Sequence, residues 1–208
     1  MPFRDLIIAD LKMGKLGKSQ YIMSYKPRQH ISLSKMAEHD EIKYVEIGAQ
    51  TQSRYASPID TRYLGFKGIS YDLVLMLYEI NSHSAFASRQ YIWQENLDKS
   101  VSSFLHSLKG VKSPEVEARI IGLQNSQDTS ALSKLLDLLS SKKIEVYEAD
   151  LFGNELRHIA LDMHTGTTFN ILLLDRLYRP GELLNKLTEE QFQRGIQPSS
   201  PSQQVSKS

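Results

Sequence analysis

An α/β fold, more narrowly an α+β sandwich of mixed β-sheet layers with two packed helices, is the class predicted by this sequence of 208 residues. Three observations predict it. The periodic segments run strands, helix, strand, helix and strands again, the order of a layered fold in which helices cover a sheet. The segment YDLVLMLYEI at 71 to 80 places Leu73, Leu75 and Leu77 on one face and Val74, Met76 and Tyr78 on the other, as a central strand covered on both sides requires. Leu132, Leu135, Leu136 and Leu139 recur at helical spacing and form one apolar stripe.

Taken in order, residues 1 to 40 combine LIIADL, two glycines and the basic stretch YKPRQH without a sustained period of 2 or 3.6, so they read as an extension with at most one short element. IKYVEIG at 42 to 48 alternates as a strand, and the central strand follows. Residues 91 to 110 set Leu97, Val101, Phe104, Leu105 and Leu108 on one helical face, with Gly110 as the stop. VEARIIG at 116 to 122 is a strand, and Asp128 is placed to cap the Leu-striped helix. KIEVYEAD is the next strand; LRHIALDM, an HTG turn and TTFNILLL then form a hairpin. A short helix is expected at 181 to 192, and 193 to 208 is too polar and too rich in Pro and Ser to fold.

Lys and Arg together number 25 against 24 for Asp and Glu, a net charge of +1, so no whole-protein field favours nucleic acid or an anionic membrane. The chain has no cysteine, which removes disulfides, thiolate nucleophiles and Cys-ligated zinc. No apolar run reaches the roughly 20 residues a bilayer requires, and charges interrupt MPFRDLIIADLKMGK where a signal peptide needs an unbroken core. A cytoplasmic protein without membrane insertion is the expectation.

ADLFGNELRHIALDMHTG, residues 149 to 166, is dense in polar groups: Asp150, Asn154, Arg157, His158, Asp162 and His164. Turn chemistry and strand alternation account for them as the exposed polar face of a hairpin. His158 and His164 lack a third ligand at a metal spacing, so neither a metal nor another cofactor is expected.

Several motifs occur in series: IGA at 47 to 49, Thr61 thirteen residues beyond Gly48 and before an LG turn, LVLMLYE, IGLQN, the Leu-striped helix, and KKIEVYEADLFGNELRHIALDMHTG. Together, over residues 42 to 178, they resemble the chemoreceptor glutamine deamidase family, CheD. The resemblance implies a CheD-like domain at about 41 to 180, hydrolysis of a protein glutamine amide by a Cys, a His and a Thr, and partners among chemoreceptor cytoplasmic helices or a CheC-type phosphatase. Thr61 matches the family's Thr, or is a local turn with its hydroxyl bonded to backbone. His83 matches the His if the loop after LYE is shortened; the alternative alignment puts Ala87 and Ser88 there.

The nucleophile is missing. About five extra residues precede the LYE end of the strand, leaving Ser70 and Asp72 nearest its place. A serine hydroxyl is far less acidic than a thiol and needs a base to act. The gly-rich loop with an M-F pair, which the family has before its IG-x-x-N turn, is also absent, as RIIG runs straight into LQNS. Three readings follow: a CheD-like binding module that has lost its reaction, a hydrolase using Ser70 or Asp72 with His83 and Thr61, and an unrelated α/β adaptor whose residues 1 to 40 are the interaction element.

Overall fold

In the computed structural model the described residues are 2 to 16, 20 to 26, 28 to 32, 42 to 44, 52 to 59, 61 to 90, 96 to 124 and 129 to 172. The central strand is β6, Leu73–Glu79, buried along its whole length between β7, Ala85–Gln90, and β8, Val116–Gly122, both antiparallel to it. Beyond β8 lies β9, Glu145–Leu151, in parallel; the edges of this six-stranded mixed sheet are β1, Tyr21–Ser24, and β4, Gln52–Ala56. A second mixed sheet of five strands has the order β2, β11, β10, β5, β3. These are Gln29–Ser32, Thr168–Leu172, Arg157–Asp162, Tyr63–Ile69 and Ile42–Tyr44.

The α+β sandwich is therefore observed as three layers, because β6 needs cover on both faces. Leu73, Leu75 and Leu77 face helices α1, Phe3–Lys12, α2, Asn96–Ser107, and α3, Ser130–Ser141. Ile7, Val101, Phe104 and the leucine stripe of α3 complete that core. Val74 and Met76 face the second sheet and pack with Phe66, Ile69, Ile159 and Leu161. Each layer removes from water an apolar face set by its own period.

Among the described residues three α-helices pack on the sheet where two were expected, and the third comes from the segment read as an extension. Residues 3 to 32 supply α1, whose Ile7 is fully buried, an edge strand paired with β9, and a strand parallel to β11. Each of these strands has four residues, too short for a period to show in the sequence. The α3 helix begins after Thr129; Asp128, expected as its cap, lies outside the described residues, as do the helix expected at 181 to 192 and the tail at 193 to 208.

Candidate functional site

Ser70 and Asp72 lie at the start of β6. The turn after β8 clamps their backbones: Gln124 N–H donates to the Ser70 carbonyl at 2.7 Å and Leu123 N–H to the Asp72 carbonyl at 2.8 Å. Gly122, at φ +123°, permits this approach, since a Cβ there would sit 1.9 Å from the Asp72 oxygen. The Asp72 side chain is buried and accepts from Arg89 Nη2 at 2.5 Å. Arg89, buried on β7, also donates to the carbonyls of Lys67 at 2.9 Å and Gly68 at 2.6 Å. Ser70 Oγ has no hydrogen-bonded base among the described residues. Ala87 and Ser88 are buried within β7, where Ser88 Oγ accepts from Gln90 Nε2 at 2.6 Å.

Thr61 and His83 lie at the other end. Thr61 Oγ donates to the Tyr63 carbonyl at 3.0 Å, the local turn bond that its neighbours allow. His83, in a left-handed turn at φ +58°, has Nδ1 2.5 Å from the Tyr78 hydroxyl. The hydroxyl donates to the Met163 carbonyl at 3.2 Å, and Met163 N–H donates to the Arg62 carbonyl. Burial pushes the Tyr78 phenol up to about 12, so it stays protonated as a donor at neutral pH. The length of β6 separates this end from Ser70 and Asp72, roughly 20 Å at the rise of a strand. The four residues expected to form one catalytic constellation thus form two separate structural groups.

The stretch 149 to 166 departs from the sequence reading in another way. Gly153, at φ +76°, makes its turn, and Asp162 caps the hairpin by accepting from His164 N–H at 2.8 Å. Asp150, Arg157 and Asp162 do not line an exposed face: they are 3%, 5% and 3% exposed. Asp150 and Arg157 face each other across the space between the sheets, where Arg157 Nε donates to Asp150 Oδ1 at 2.9 Å. Arg157 also donates to the Phe152 and Glu155 carbonyls. Arg28, just before β2, bridges the layers from the other side, bonding Glu148 through Nε and Asp150 through Nη1. Gln20 adds a bond to Asp150 at 3.0 Å. Burial alone would raise the Asp150 carboxyl, but Arg28, Gln20 and Arg157 outweigh it and hold the group below its ordinary value of 3.8.

Beside this network is a cleft of about 540 Å³, lined by residues that include Ile22, Arg28, Asp150, Leu156, His158 and Asn170. His158 sits at a bulge in β10 and accepts the Gly68 N–H through Nδ1 at 3.0 Å. Its Nε2 therefore carries the ring proton, and burial, with Lys67 adding to it, lowers its pKa below 6.5. The sequence held one signal for this region, the opposite charges flanking a tight turn. Arg28 was out of reach of any local pattern because 120 residues separate it from Glu148.

Among the described residues, no three His, Asp or Glu side chains gather where they could hold a metal ion. No helix among the same residues is long and apolar enough to cross a membrane. The chain matches no protein-family model and no curated protein.

Proposed function

We propose that this protein acts by binding and not by hydrolysing an amide, as a CheD-like sandwich that has lost the deamidase reaction and docks on chemoreceptor cytoplasmic helices or a CheC-type phosphatase. One observation carries the reading: the ion pair of Asp72 with Arg89. Asp72 is one of the two residues nearest the missing nucleophile in the resemblance, and its carboxylate is held by the buried Arg89. Attack on an amide needs a nucleophile, a base and oxyanion donors within hydrogen-bond reach of one reacting atom. Here Ser70 has no bonded base among the described residues, and His83 and Thr61 lie at the far end of β6.

The test is mass spectrometry of chemoreceptor cytoplasmic fragments incubated with the full chain, together with a pull-down of those fragments and of a CheC-type phosphatase. The expected result is no conversion of glutamine to glutamate and retention of one of the two proteins. Conversion that disappears in Thr61→Ala and His83→Ala variants would overturn the reading in favour of a hydrolase. Retention of neither protein, without conversion, would remove the CheD-type partners. The adaptor reading would then stand, although residues 3 to 32 are not a detachable arm, since their strands are built into both sheets.

A further inference from the structure

We propose that the cleft between the two sheets binds a small net-neutral zwitterion with an apolar arm, either a free amino acid or a dipeptide. This rests on the cleft alone and goes beyond the binding-module reading.

The space between the sheets changes character along its width. On one side it is closed by aliphatic and aromatic side chains such as Val74, Met76, Phe66 and Leu161. On the other, the same two layers bury Arg28, Glu148, Asp150 and Arg157. Buried ion pairs stabilise a fold no better than well-packed apolar groups of the same volume. Here the charged side is also left unfilled, and its volume of about 540 Å³ falls in the range of small-molecule sites.

The lining narrows the class of ligand. The buried part of the lining sets two guanidiniums against two carboxylates, and Glu155 adds a third carboxylate at the exposed rim, so a net anion meets Glu148, Asp150 and Glu155 while a net cation meets Arg28 and Arg157. A molecule carrying both poles finds a counter-charge for each. The network retains unused capacity as well. Arg28 is nine-tenths buried, and its Nη2 has no partner among the described residues. Among the described residues the Nε2 proton of His158 likewise has no acceptor, the ring being bonded there through Nδ1. At the rim, Ile22 and Leu156 stay 63% and 58% exposed and line the same opening, which gives an apolar arm a surface to cover.

Isothermal titration of the full chain with L-leucine and glycyl-leucine, beside N-acetyl-leucine and leucinamide as single-pole controls, tests the proposal. The expected result is saturable binding of a zwitterion, with both controls weaker by about tenfold or more, the loss of one charge-assisted bond. Which zwitterion binds more tightly decides between amino acid and dipeptide. Leu156→Ser, at an exposed position, should weaken binding several-fold while leaving the urea midpoint unchanged. No saturable heat from either zwitterion, equal binding of a control, or unaltered binding by a folded Leu156→Ser variant would each overturn the proposal.

Discussion

Replacing Asp72 by Ala separates a structural carboxylate from a catalytic one. Asp72 and Arg89 are 4% and 2% exposed, and the substitution leaves the Arg89 guanidinium buried with its charge uncompensated. Removing one partner of a buried pair costs about 3–5 kcal/mol. The Lys67 and Gly68 carbonyls still accept from Arg89, which places the cost near the lower end, about 3 kcal/mol. For a unit of 173 residues that corresponds to a fall in Tm of roughly 6–12 °C. The assay is urea unfolding followed by circular dichroism, in which the midpoint drops while the slope is unchanged. A double variant, Asp72→Leu with Arg89→Met, should lose less than the two single changes summed, because the second removes the charge that the first strands. A functional carboxylate held at a cost would behave in the opposite way, and its removal would leave stability unchanged or raised. An Asp72→Ala midpoint equal to that of the parent chain would refute the reasoning.

Three further outcomes follow from the same geometry. Ile7→Ala, in the segment that carries no period, should cost about 2–4 kcal/mol by urea unfolding, since the side chain is fully buried against the main core. Because Asp150 titrates below 3.8 when folded, its contribution is complete above that value and is lost as pH falls through the depressed one; urea midpoints from pH 7 to pH 2 should show a shallower acid loss in Asp150→Asn. His158 has a folded pKa below 6.5, so the unfolded chain takes up a proton first and this group opposes folding as pH drops through that range; nitrogen-detected NMR should find it as the Nε2–H tautomer, titrating below 6.5.

Strand β6, the leucine stripe of α3 and the hairpin of β10 and β11 were legible in the sequence because each is long enough to repeat its period and each buries a face within its own span. The hairpin's HTG turn was legible for a related reason, since the left-handed backbone at Gly166 selects glycine locally. The tertiary structure alone decided that the strands divide into two sheets, because alternation states that a strand has two faces and not which layer covers each. It alone recruited α1, β1 and β2, whose stability comes from partners more than a hundred residues away. The candidate site was decided the same way. An Asp and an Arg on alternating strands read as a solvated face until a third charge, Arg28, arrives from the far end of the chain to make their burial tolerable. The partner of Asp72, Arg89, was likewise visible only in the fold, seventeen residues along the chain on the next strand. Periodicity is written into neighbouring residues, whereas charge compensation is written into distance, and distance exists only in the folded chain.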